Sequence, residues 1–385
     1  VAGGRRRNGR GCPLRQPRHP QAPRCPHAPS RSPVRGEKAL IRKKKSILGL
    51  DLGSQVFKAV EITLEGGEPV ITGFSRLELG PSQDRRQAIG ELMQLGRFGT
   101  RNVVSSVAGQ SVVVRYVNMV PMSDSELRQA IQFESDKYLP FDLSEVVLDC
   151  QRLQHEVQGA YGAGGGKQMS VVLAACQKGI VAKLLDDITS HGLTASAVDI
   201  DAFALANAYE LTHRTVLEGQ AADVAVALVD MGAVRTQINV LRGGETCFSR
   251  EIGMGGNDMS KAIARRLNLD QASAEALKRE PGERLVEVQR AIAPVLEDLV
   301  SELSLSMDFV ESREGVRIEE VLFSGGAALA PGALENIGKQ TGRQTRFWNP
   351  LQGLSVDADH VDVEEIERNA SFLAVAVGLA ARAKA

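Results

Sequence analysis

The 385-residue sequence holds no apolar run that approaches the ~20 residues a membrane-spanning helix needs, so any membrane association is expected to be indirect. It also lacks clustered cysteines. Cys12, Cys25, Cys150, Cys176 and Cys247 form no CxxC pair and no metal-ligand spacing, and they read as reduced thiols of a cytosolic protein. The first residues lack the continuous apolar region of a secretory signal. Positive charge is missing from most of the chain as well. Of 46 Lys and Arg, 14 fall in residues 1–45, against one of the 47 Asp and Glu. The rest of the chain therefore carries 14 more acids than bases, despite a formal net charge of −1. A body that acidic is a poor nucleic-acid binder.

The basic segment itself, "CPLRQPRHPQAPRCPHAPSRSP" and its flanks, offers few residues for a core. Residues 1–45 are expected to be a disordered, proline-rich tail or dispensable leader, with the working protein beginning near Leu40. Binding of nucleic acid or acidic lipid by this arm is the sharper alternative. The remaining length suits two domains.

Short strands are predicted over Ile47–Leu52 and Val56–Thr63, turning at Gly53-Ser54, with a third at "PVITGFSRLEL" and a helix at "SQDRRQAIGELMQLGRFG". A second unit follows. Strands "NVVSSVAG" and "VVVRYVNMV" lead to a helix opened by a Ser123/Glu126 capping box and stopped by Pro140. Two more strands, joined by the glycine-rich "GAYGAGGGKQ", and the helix "KGIVAKLLDDITSHG" complete it. The glycine-rich stretch follows no strand-to-helix phosphate pattern and reads as a flexible hairpin connection. From "DVAVALVDMGAVRTQINVLRGG" the opening pattern repeats, which suggests two related halves.

The echo brings two D-x-G turns, Asp51-x-Gly53-Ser54 and Asp230-x-Gly232. Glycine lets backbone amides approach an anion, and successive amides form an anion-binding nest. Aspartates cannot face phosphate directly. They fit one layer out, where Asp51 and Asp230 would hold the water shell of Mg²⁺. Lys58 is placed to neutralise a phosphate oxygen. One such turn is weak evidence, because hairpins often contain Asp and Gly; two at equivalent places say more. At Gly325-Gly326 a strand ends and the backbone opens for a flat ligand such as a nucleotide base. On a helix, Glu275, Lys278 and Arg279 share one face. They read either as a ribose-holding carboxylate with cations flanking a base, or as a surface ion pair.

Together these motifs resemble the actin-like ATPase superfamily. The resemblance implies an α/β, two-lobed actin-like (ribonuclease H-like) fold that binds ATP with Mg²⁺ in its cleft. It matches Asp51 to Lys58 with the first phosphate loop, Asp230 and Gly232 with the second, and Gly325-Gly326 with the adenosine motif. Glu275, Lys278 and Arg279 match the ribose-contacting helix. It makes Asp201 the candidate for the acid that orients the attacking water, with Asp199 nearby and a helix N-cap as the plain alternative. The implied domains are a first lobe over 46–220 with an inserted α+β subdomain at about 98–192, and a second over 221–385 with a helical subdomain at about 257–315.

Within the superfamily, Glu134, Tyr138, Leu139, Pro140, Phe141, Glu145, Val146 and Asp149 look like the PilM family of type IV pilus assembly proteins. That resemblance implies a cytoplasmic protein at the inner face of the inner membrane, touching the membrane only through partners. It would bind the cytoplasmic tail of PilN in a groove between first lobe and insertion, and reach PilO indirectly, with homo-oligomers an open possibility. An FtsA-like filament protein is ranked second because the sequence ends at "AARAKA" without an amphipathic helix. A sugar or acetate kinase lacks a convincing base, and a chaperone lacks its substrate-binding region. A nucleotide-binding pseudo-ATPase scaffold stays open.

Overall fold

The computed structural model describes residues 45–80, 82–134, 137–157, 168–213 and 224–383. The expected tail up to residue 44, with Cys12 and Cys25, and the glycine-rich connection at 159–167 lie outside the described residues.

Two sheets share one plan. In the first, β1 (Ser46–Leu52), β2 (Val56–Glu65) and β3 (Glu68–Glu78) form an antiparallel meander, and β4 (Asn102–Val107) and β8 (Thr194–Ile200) add in parallel on the other side of β1. In the second, β9 (Val224–Met231), β10 (Thr236–Arg242) and β11 (Glu245–Ile252) form the meander, and β12 (Arg317–Ser324) and β13 (Gln344–Phe347) the parallel extension. Reading outward from the third strand of each meander, the orders correspond strand for strand. The short β14 (Ser355–Val356) adds to the edge of the first sheet beside β3.

Both sheets are covered on both faces, which is why their central strands are almost continuously apolar. Along β9, Ala225, Ala227, Val229 and Met231 point to one core. Helices α5 (Gly256–Leu267), α6 (Gln271–Arg279), α7 (Leu285–Glu314) and α8 (Ala333–Thr341) contribute to that core. The alternate residues Val226 and Leu228 point to a second core, built around α4 (Asp201–Thr212) and α10 (Ala374–Ala380), joined by Ile366 of α9 (Val363–Arg368) and shared with Val60 and Ile62 of β2. The first sheet turns Leu48, Leu50, Phe57 and Ala59 to a third core under α1 (Arg85–Leu95) and α3 (Lys178–Thr189). Helices α4 and α10 therefore lie between the two sheets and join the halves.

The approach of these layers needs glycine at two places. A Cβ on Gly49 would stand 2.0 Å from the Ala376 carbonyl oxygen, and one on Gly378 only 1.7 Å from that of Ala204. Every residue of α10 is buried, as its unbroken apolar sequence requires.

A third sheet, in the order β5 (Val112–Met119), β7 (Gln168–Gln177), β6 (Val146–Val157), is wholly antiparallel. Leu127 and Ile131 of α2 (Asp124–Glu134) pack on its Met119, Val171 and Leu173. The Ser123/Glu126 box is in place: Glu126 Oε2 accepts from the Ser123 N–H at 2.8 Å, and Ser123 Oγ from the Glu126 N–H at 3.4 Å. The segment expected as a single insertion at about 98–192 is divided by its hydrogen bonds and packing. Strand β4 lies between β1 and β8, and α3 sends Leu184 and Ile188 into the core under the first sheet. Only the middle of the segment stands apart. The chemistry of β4 as a β-branched strand is the same in either sheet, so local sequence does not distinguish them.

Candidate functional site

The twelve residues singled out by motif come from five separate segments, and all line one cavity of about 630 Å³ between the two large sheets. The register of β1 on β2 explains the nearest pair. Asp51 and Lys58 are directly opposed, and Lys58 Nζ donates to Asp51 Oδ2 at 2.5 Å. Burial acts to lower the Lys58 pKa. The Asp51 charge and hydrogen bond, with Asp230 and Asp201 beyond, outweigh it, so the ammonium is held charged and its pKa raised. In the second hairpin the residue opposite Asp230 is Gln237, so the echo between halves stops short of a second lysine.

Both turns present free donors. Among the described residues, the N–H groups of Gly53, Ser54 and Gln55 find no acceptor, nor do those of Ala233 and Val234. Gly232 closes its turn by donating to the Arg235 carbonyl at 2.9 Å, and the first amides of α5 brace it from outside: Gly256 donates to Gly232 O at 3.0 Å and Asn257 to Ala233 O at 2.7 Å. Gly255 makes this seat possible, since a Cβ there would sit 2.6 Å from the Gly232 oxygen.

Asp201 and Asp199 take different roles. Asp199 is bound to Arg382 Nε at 2.7 Å and to the Ile200 N–H, and it does not line the cavity. Asp201, the first residue of α4, accepts from Ser106 Oγ at 2.6 Å rather than capping its helix. Burial, then the neighbouring Asp51 charge, pushes its carboxyl up to about 7. Burial likewise raises Asp230, opposed by Lys58 and by the hydrogen bond from Ser324 Oγ at 2.7 Å. Among the described residues no group of three or more His, Cys, Asp or Glu is arranged to ligate a metal directly.

Two expectations change. Lys278 lines the cavity, but its buried ammonium is committed to Gly256 O at 2.9 Å, Ser260 Oγ at 2.8 Å and Glu275 Oε2 at 2.7 Å. With three donors used it is a post between α5 and α6, not a free cation beside a base. Nor do Gly325 and Gly326 mark an open backbone. Gly325, at φ +87°, lies against Met231, whose carbonyl oxygen would be 2.4 Å from a Cβ, and a Cβ on Gly326 would strike the Phe372 ring at 2.5 Å. Close packing accounts for both glycines.

Sequence reasoning missed other lining residues. Arg76 lies 5.0 Å above the Phe372 ring, Arg85 lies 5.2 Å above Phe57, and Arg235 follows the second turn. The turn motif's own length was the only signal for Arg235; Phe372 sits in an apolar run and carried none. At the mouth the lobes touch. Gln55 Nε2 donates to Asn257 Oδ1 at 2.8 Å, and Arg279 Nη1 to both Glu78 oxygens at 3.1 Å. Glu134 stays at the surface, 3.5 Å from Lys137.

Residues 49–384 match the family model described as Type IV pilus assembly protein PilM. The chain belongs to this family. A solved structure described as a PilM-PilN type IV pilus biogenesis complex aligns at TM-score 0.75 and 28% identity, over 88% of this chain and 98% of that one. The fold is thus the two-lobed actin-like one. The ethanolamine utilization protein EutJ of Escherichia coli (strain K12) is 28% identical over 155 residues, 40% of this chain and 48% of that protein. The chain thus matches about half the length of this curated relative. A EutJ structure from Carboxydothermus hydrogenoformans aligns at TM-score 0.48 and 15% identity, over 87% and 89% of the two chains.

Proposed function

We propose that the protein is the nucleotide-binding, actin-like component of a type IV pilus assembly platform and holds the cytoplasmic tail of PilN. One observation carries the nucleotide part: two D-x-G turns from different sheets face one cavity with unsatisfied N–H groups on both. Such amides want an anion of phosphate type. Gly53, Ser54 and Lys58 would hold one side of the phosphates and Gly232 the other. Asp51 and Asp230 would hold the water shell of Mg²⁺, an ion that supplies charge neutralisation there. Glu275 and Arg279 would receive the ribose hydroxyls, beside the cavity wall to which Gly325 and Gly326 contribute. Asp201, with a carboxyl near neutrality, is the candidate to take a proton from water.

Family membership and the PilM-PilN structure support the pilus role and the PilN partner. Among the described residues no helix is long and apolar enough to cross a membrane. PilN would therefore supply the attachment at the inner face of the inner membrane. A pseudo-ATPase scaffold is the second reading, favoured by the tight Asp51–Lys58 pair, which engages one carboxylate oxygen and one of the ammonium's three donors before any ligand binds.

Calorimetry of the full chain with Mg²⁺-ATP, for the parent and Asp51→Ala, with and without a PilN tail peptide, tests this. The parent is expected to bind ATP and the peptide, with ATP altering peptide affinity, and Asp51→Ala to lose ATP. Peptide binding that ignores ATP would leave the scaffold reading; no peptide binding would remove the PilN role.

A further inference from the structure

Two contacts tie the second sheet to the segment that enters the small three-stranded sheet, and neither involves the phosphate-turn residues named from sequence. Glu251 of β11 accepts through a single oxygen, Oε2, from the Gly109 N–H at 2.8 Å and from Arg235 Nη1 at 3.3 Å. Tyr116 of β5 meets Ser249 of β11, Oη to Oγ, at 3.4 Å. Gly109 has φ +93°, and a Cβ on it would lie 2.8 Å from Arg235 Nη1. The guanidinium is thus packed on the backbone that leads into β5.

Arg235 also lines the cavity, five residues after Asp230. Among the described residues, Glu251 is the one hydrogen-bond partner of its side chain, so most of its donors are unspent. At 3.3 Å that contact is longer than the ~2.7–2.9 Å of a strong charge-assisted bond. From the other half Arg85, the first residue of α1, lines the same space. Its pKa is lowered by burial, which outweighs the neighbouring Asp187 and Asp51 charges, with a smaller contribution from the charge of Arg235. Both guanidiniums line the cavity, where an anion would be attracted by each.

We propose that Arg235 distinguishes a nucleoside triphosphate from a diphosphate by pairing with the terminal phosphate, and that Glu251 is the positioning residue linking this choice to Gly109 and the small sheet. This rests on the nucleotide reading of the cavity. A guanidinium offers phosphate a planar fork that its single long bond to Glu251 does not match. Drawn toward phosphate, Arg235 leaves Glu251 Oε2 less neutralised, and the bond from the Gly109 N–H strengthens. Coupling of this kind is reciprocal, so whatever docks on the small sheet shifts triphosphate affinity by the same factor.

The test uses the full chain with Mg²⁺, comparing ATP and ADP by calorimetry and following amide hydrogen exchange over residues 109–117. Arg235→Ala should weaken ATP about tenfold and ADP no more than about twofold, with Arg235→Lys intermediate, the scale expected for one hydrogen bond to a charged group. In the parent, ATP but not ADP should slow exchange at Gly109; Glu251→Gln should abolish that slowing. Equal losses for ATP and ADP in Arg235→Ala, or ATP-dependent slowing that survives Glu251→Gln, would overturn the proposal while leaving the nucleotide reading intact. A parent that binds neither nucleotide would overturn both.

Discussion

Asp201 shows how one side chain records the cost of building a cleft. The residue is half-buried, and desolvation and then the Asp51 charge push its carboxyl up to about 7 from an ordinary 3.8. The folded-state pKa is above the unfolded one, so between these values the folded chain keeps a proton that the unfolded chain has shed. Stability therefore falls as pH rises through that window and levels off above it. Asparagine at this position cannot ionise and can still accept from Ser106. Asp201→Asn is expected to melt higher than the parent at pH 8, with the gap shrinking at pH 5, in calorimetric scans at both. A gap of equal size at both would place the buried charge elsewhere. The D-x-G aspartates were legible from spacing alone; which of Asp199 and Asp201 faces the cleft was not, because Arg382, the partner that takes Asp199, is 183 residues away.

At the scale of elements, α10 is the most constrained helix. It packs on β1 and α4, with glycine or alanine at the points of closest approach. Gly378→Ala would force a methyl group to within 1.7 Å of the Ala204 carbonyl oxygen, and neither backbone can yield without separating the helices. A loss of about 3 kcal/mol or more in urea unfolding is expected, at the upper end for overpacking. Gly179→Ala is the contrasting case. It lies in α3 with nothing within 4 Å of the added Cβ, so alanine should stabilise by about 0.5 kcal/mol through helix propensity. Periodicity identified α1, and the capping box identified the start of α2. It could not assign β4 to its sheet, because pairing partners are chosen by chain topology rather than by strand composition.

For the whole molecule, the mouth of the cleft is the telling feature. Glu78 and Arg279 bridge the two halves with side chains 44% and 49% exposed. An exposed pair is worth only about 0.2–1 kcal/mol. Glu78→Gln should therefore change global stability by less than about 1 kcal/mol. Closure of the lobes over a ligand should be affected more, because few contacts cross the mouth. Nucleotide dissociation, followed with a fluorescent ATP analogue, is expected to be faster in Glu78→Gln. The parent's advantage should shrink at high salt as the pair is screened. Dissociation unchanged at low salt would mean that the bridge has no part in closure.

The sequence alone determined what repeats and what is local: two hairpins each ending in a D-x-G turn, the helix faces, the acidic body, and hence the actin-like reading. Those features depend on residues a few positions apart, where period and turn chemistry act directly. Tertiary structure alone decided which charges are already spent. Lys278 is saturated by Gly256, Ser260 and Glu275, Gly325 and Gly326 answer to Met231 and Phe372, and Arg235 shares Glu251 with Gly109. Each of these depends on the distance between groups far apart in the chain, and that distance exists only once the layers have packed.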